Sequence, residues 1–109
     1  MYAIPMTAKR LTTIEQRIAK IKVALTAIED MRPGSLTRQY KDPANQSGAY
    51  YQLSYTRAMK SRTEYITRDN LRAVRRQIAN YQRFKALSAE WIALSIEHSR
   101  LQMQLARQP

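Results

Sequence analysis

From residue 69 to residue 107 the sequence runs 39 residues without a glycine or a proline. A stretch that long, rich in Ala, Leu, Arg and Gln, has one regular structure open to it, a long α-helix. Its apolar residues keep helical spacing. Leu71, Val74, Ile78 and Tyr81 step by 3, 4 and 3; after Phe84 and Leu87 the stripe resumes as Trp91, Leu94, His98, Leu101 and Leu105. The two three-residue steps through Tyr81, Phe84 and Leu87 form a stammer, where a coiled coil overwinds, and residues 80–85 are the one place where a break fits. Ile92, Ile96 and Met103 widen the apolar face in the second half, and Thr67, Asp69 and Asn70 offer a cap and an early acidic group.

A second stripe precedes it. Leu11, Ile14, Ile18, Ile21, Leu25 and Ile28 step by 3, 4, 3, 4 and 3, which sets all six along one seam of a helix over residues 11–31. Thr12 and Glu15 have the spacing of a capping box, and an earlier start near Pro5 also suits a first helical turn. Arg32-Pro33-Gly34 stops the helix.

Between the stripes the period changes from helical to two. Five of the seven tyrosines (Tyr40, Tyr50, Tyr51, Tyr55, Tyr65) fall in residues 35–67. In residues 49–56, Tyr51, Leu53 and Tyr55 alternate with Gln52, Ser54 and Thr56, the pattern of a half-buried strand. Residues 60–67 read as its partner, with Thr63 and Tyr65 on one face and Arg62, Glu64 and Ile66 on the other; residues 35–41 are a candidate third strand. The turn at residues 57–60 lacks an Asn-Gly signal, whereas residues 42–48 have turn chemistry throughout.

The expected fold is therefore mainly α with a small β insert: an antiparallel two-helix coiled coil joined by a two- or three-stranded antiparallel sheet. It forms one domain over residues 1–109, with an N-terminal arm and first helix in 1–31, a Tyr-rich basic hairpin or meander in 35–67 and a second helix in 69–107. At 1.5 Å per residue the helices run roughly 30 Å and roughly 58 Å. Folded back from the sheet, the first reaches only about residues 69–88 of the second, which predicts that Trp91, Ile92, Leu94, Ile96, Leu101 and Leu105 are left for a second copy or another protein to cover.

Chemistry-bearing residues are sparse. The chain has no cysteine, which excludes disulfides and thiolate sites and fits a reducing cytoplasm. Its single histidine, His98, sits on the apolar stripe and reads as a packed or interface-edge residue. No acidic cluster, phosphate loop or nucleophile elbow accompanies it, so neither catalysis nor a metal or other cofactor is expected. The tyrosines have no second histidine or carboxylate cluster beside them to support strand-transfer chemistry. No apolar run approaches the ~20 residues of a membrane span, and residues 1–10 lack the order of a secretory signal because Lys9-Arg10 follows the apolar stretch.

Charge is the informative quantity. Nineteen Lys and Arg against eight Asp and Glu give a net charge of +11, for which a polyanion is the expected partner. Residues 32–68 carry seven positive and two negative side chains, and five more cations follow in residues 69–85. Arg38, Lys41, Arg57, Lys60, Arg62 and Arg68, interleaved with tyrosines, together with Arg72, Arg75 and Arg76, are the candidate phosphate-binding set. Tyr50 is the candidate stacking residue.

Arg32-Pro33-Gly34-Ser35-Leu36, Arg38-Gln39-Tyr40, the run from Gly48 to Tyr55, Lys60-Ser61 and Asn80-Tyr81-Gln82-Arg83-Phe84 resemble an uncharacterised family of short prokaryotic proteins, over roughly residues 14–101. Members of that family often carry a cysteine knuckle between the first Tyr and the Tyr-Tyr pair, and some are encoded near mobile-element genes. Residues 41–48 hold no cysteine, so the knuckle is absent from this chain. The resemblance implies a role around DNA or RNA and brings no activity with it. Two readings result. One is a non-catalytic nucleic-acid-binding accessory protein, dimeric, gripping the phosphate backbone with its hairpin and the first half of the second helix. The other is a subunit or inhibitor that docks a larger nucleic-acid-processing protein through the C-terminal half of that helix.

Overall fold

A computed structural model describes residues 3–107, with side chains from Met6 onward; Met1 and Tyr2, the start of the expected arm, lie outside the described residues. The elements follow in the order α1 (Ala3–Thr26), β1 (Ser35–Asp42), β2 (Ser47–Arg57), β3 (Lys60–Ile66) and α2 (Arg68–Ala106). They form two compact units. One combines the chain up to Ile28 with α2 from Phe84 onward, and the other spans Glu29–Arg83.

The first helix lies earlier in the chain than its stripe suggests. It begins at Ala3, with Pro5 in the first turn, where a missing N–H costs no helical hydrogen bond. Thr12 and Thr13 are therefore interior residues whose hydroxyls donate to the carbonyls of Ala8 (3.2 Å) and Lys9 (3.1 Å), and the expected capping box does not form. The helix also closes at Thr26 instead of residue 31. The amides of Ala27 and Ile28 bond back three residues, to Ala24 and Leu25, tightening the last turn. Beyond it the chain bonds to α2 instead of to itself. Asp30 accepts from Gln77 and Asn80 (both 2.8 Å), and the Arg32 amide donates to the Gln77 carbonyl (3.2 Å).

In the helical unit α1 runs antiparallel to the second half of α2, which corrects the expectation that it covers residues 69–88. Arg10 binds Glu97 through two hydrogen bonds (2.7 and 2.8 Å), and Arg17 binds Glu90 likewise (2.6 and 2.7 Å). On the other flank His98 Nε2 lies 3.5 Å from Glu15, and the Lys22 ammonium sits 5.4 Å from the Trp91 ring centroid. Each helix thus presents its contacts at heptad intervals. Between them Ile14 and Ile21 are fully buried, worth about 1.5–3 kcal/mol each. Trp91, Leu94, Leu101 and Leu105, expected to lack intrachain cover, are half-buried along this seam. Ile92 and Ile96 point elsewhere and stay exposed, 62% and 49%, as does Met103.

In the second unit the three strands form an antiparallel meander in the order β1-β2-β3. The register sets Leu36 opposite Leu53, Tyr51 opposite Ile66 and Tyr55 opposite Arg62, which reproduces the face assignment read from the alternation. Leu53, Ile66 and Val74 make the core, with Leu36, Tyr51, Tyr55, Leu71 and Ile78 packed around it, so one sheet face lies on the first half of α2. Both glycines hold positive φ. Gly34 has φ +141°, and a Cβ there would fall 2.5 Å from Leu53 Cδ1; Gly48 has φ +69° and lies against Lys41. The β2–β3 loop shrinks to Ala58 and Met59, both at positive φ (52° and 64°), the signs of a type I′ turn made without glycine.

The second helix is unbroken through residues 80–85. Thr67 caps it: its carbonyl accepts the Asn70 amide (3.0 Å) and its hydroxyl the Asn70 side chain (2.9 Å). No helix among the described residues is long and apolar enough to cross a membrane.

Candidate nucleic-acid interface

Strand alternation sorts the basic residues of the sheet. Arg38 is paired with Tyr51, Arg62 with Tyr55, and Arg57 with Lys60, so all four cations stand on the sheet side that meets α2. Tyr50 and Lys41 stand on the opposite side. That outer face otherwise carries uncharged groups (Thr37, Gln39, Gln52, Ser54, Thr63), and its two tyrosines, Tyr50 and Tyr65, contact each other with ring centroids 6.1 Å apart. Tyr50 and the arginines, neighbours in sequence, are thus separated by the sheet. A single surface on which Tyr50 stacks bases among arginines does not form.

On α2, Arg68, Arg72, Arg75 and Arg83 recur at helical spacing on one side, flanking the Leu71, Val74 and Ile78 positions that meet the sheet. Arg76 lies on the far flank of this stripe, 3.8 Å from Asp30. Arg75 is held with its guanidinium carbon 5.6 Å from the Tyr51 ring centroid. The fold therefore brings Arg38, from β1, and Arg75, from α2, to the same tyrosine, and both line a cleft of about 590 Å³. Arg57 and Lys60, at the hairpin tip, are six residues along β2 from Tyr51, roughly 20 Å at ~3.3 Å per residue.

Carboxylates are distributed unequally. Glu90 and Glu97 neutralise Arg17 and Arg10; hydrogen bonds from these guanidinia hold both carboxyls below the ordinary carboxylate range and raise the arginines further. In the sheet unit Glu64 binds Arg32, which also lies over the Tyr55 ring, and Asp42 accepts from Asn45. Among the described residues Arg38, Lys41, Arg57, Lys60, Arg62, Arg68, Arg72 and Arg75 have no carboxylate within ion-pair distance. All eight side chains are exposed.

The interhelical Arg–Glu pairs escape a reading that treats each helix alone. Their signal is the match between arginines seven apart on one helix and glutamates seven apart on the other. Arg83 could have been added to the candidate set from its spacing alone. Among the described residues no group of three His, Cys, Asp or Glu side chains could hold a metal ion. Comparisons with protein-family models, with curated proteins and with solved structures return no match.

Proposed function

We propose that the chain is a non-catalytic nucleic-acid-binding accessory protein, and that its sheet unit grips the phosphate backbone. The observation that carries this reading is the set of exposed cations without carboxylate partners on one side of the sheet and along the first half of α2. Unneutralised guanidinia gathered this way repel one another and are relieved by a polyanion, with release of its counterions. The test is anisotropy of labelled DNA and RNA, single-stranded and duplex, across a salt series. Five or six phosphate contacts on duplex DNA give a log–log slope of roughly −4 to −5. Changing Arg57, Lys60 and Arg62 together to Ala should flatten it by up to about three units, and changing exposed Lys9 and Lys20 of α1 should matter less. A slope near zero, or unaltered binding by the triple variant, overturns the reading.

A second reading, docking of a larger protein or a second copy of the chain, is favoured by one feature. Ile92, Ile96 and Met103 line a shallow apolar groove of about 480 Å³ on α2. Sedimentation of the purified protein, alone and with proteins recovered from its native cell, tests it; a monomer that recovers no partner counts against it.

A further inference from the structure

The cleft on which Arg38 and Arg75 converge has the composition of a nucleotide site. Its volume, about 590 Å³, lies in the range of small-molecule pockets, well above what a bare ion needs. Leu36 and Ile78, both half-buried against the sheet–helix core, give it an apolar wall, and Ser35 adds a hydroxyl at the rim. The two guanidinia are oriented by aromatic rings: Arg75 over Tyr51, and Arg38 with its guanidinium carbon 5.4 Å from the Tyr40 ring centroid. No acidic residue lines the cleft. Two like charges carried to one concavity by different elements, with no acid between them, favour an anion there. Planar guanidinia also offer paired N–H donors to phosphate oxygens.

We propose that this cleft binds a terminal nucleotide through its phosphate monoester, the phosphate between Arg38 and Arg75 and the nucleoside against Leu36 and Ile78. A monoester carries close to two negative charges at neutral pH, against one on an internal diester, and so matches the two guanidinia. The proposal rests on the nucleic-acid reading above and makes it more specific: the sheet unit recognises phosphorylated strand ends as well as backbone.

The experiment compares single-stranded oligonucleotides of one sequence bearing a 5′-phosphate, a 3′-phosphate or no terminal phosphate, at fixed salt. At least one phosphorylated end should bind about five- to twentyfold more tightly than the unphosphorylated strand. Arg38→Gln and Arg75→Gln, on different elements and each checked by its melting curve, should remove that ratio. The Arg57, Lys60 and Arg62 triple variant should weaken all three strands and preserve it. AMP should compete and adenosine should not. Equal binding of all three strands, a ratio that survives both glutamine variants, or inorganic phosphate competing as well as AMP overturns the proposal. If no strand binds but AMP does and is lost in both variants, the cleft stands with free nucleotides as its ligand and the backbone-binding reading falls. The comparison of wild-type strands needs no variant, so a variant that fails to fold leaves the test decisive.

Discussion

The β2–β3 turn is a place where the sequence works against its own fold, and the size of the conflict follows from the backbone. Ala58 and Met59 hold φ of 52° and 64°, left-handed values that cost a residue with a Cβ about 1–2 kcal/mol. Glycine has no such cost, but it gives back about 0.5–1 kcal/mol through the freer unfolded chain. Met59 is 98% exposed, so deleting its side chain sacrifices no packing. Met59→Gly should therefore stabilise by about 0.5–1 kcal/mol, and Ala58→Asn, which tolerates the left-handed region, adds about 0.5 kcal/mol. For a unit of this size 1 kcal/mol corresponds to about 4–8 °C in Tm. Denaturant unfolding followed by circular dichroism measures the change, and amide exchange in residues 53–65 localises it. Met59→Ala is the control: it removes the same exposed side chain but keeps the φ cost, and should stay within about 0.5 kcal/mol of the parent. A double variant no more stable than the parent, or Met59→Ala gaining as much as Met59→Gly, would refute the reasoning.

Two further predictions concern the helical unit. Glu90 and Glu97 titrate lower folded than unfolded, so their contribution is complete above the ordinary carboxylate value of about 4.3 and fades as pH falls through the depressed folded values. An NMR titration should place both carboxyls below the ordinary carboxylate value, and melting curves from pH 6 to pH 2 should show a small loss that Glu90→Gln with Glu97→Gln blunts; carboxyls that titrate at the ordinary value would mean the pairs do not persist in solution. Leu101→Glu places a charge in the seam against α1 and should cost about 2 kcal/mol or more, whereas Ile96→Glu on the exposed face should stay within about 0.5 kcal/mol. Equal destabilisation by the two would show that the seam is misassigned.

Much of this architecture is legible in the sequence because its periods are clean. The alternation through Tyr51, Leu53 and Tyr55 gives the buried face of β2 correctly, and the glycine- and proline-free run gives α2. The helix pairing is not legible there, for a physical reason. A stripe says which side of a helix is apolar, but Leu71–Val74–Ile78 and Leu94–His98–Leu101 are equally good partners for α1 on that criterion. The choice falls to residues outside the stripe: Arg10 and Arg17 pair with Glu97 and Glu90, while the sheet takes Val74 for its own core. The candidate site was legible as a list of cations and not as a surface. Sequence order interleaves Tyr50 with arginines, but alternation sends them to opposite sides of the sheet, and only tertiary structure brings Arg38 to Arg75.

The paired arginines and glutamates between α1 and α2 have a consequence apart from adhesion. The side chains of these ion pairs are all at least 40% exposed, and surface pairs of this kind add little to stability. The Leu and Ile positions of the seam, Leu94 and Leu101 against Ile14 and Ile21, repeat every seven residues and discriminate weakly against a slip of one heptad, since similar side chains would meet again; only Trp91 and His98 differ. The charges are not blind to such a slip. A slip one way sets Arg10 opposite Glu90 and strands Arg17 and Glu97; a slip the other way sets Arg17 opposite Glu97 and strands Arg10 and Glu90. Each displaced alignment makes a single Arg–Glu pair, where the native one makes two. The pairs act as a two-tooth key, adding to Trp91 and His98 in selecting among alignments that the Leu and Ile positions distinguish only weakly.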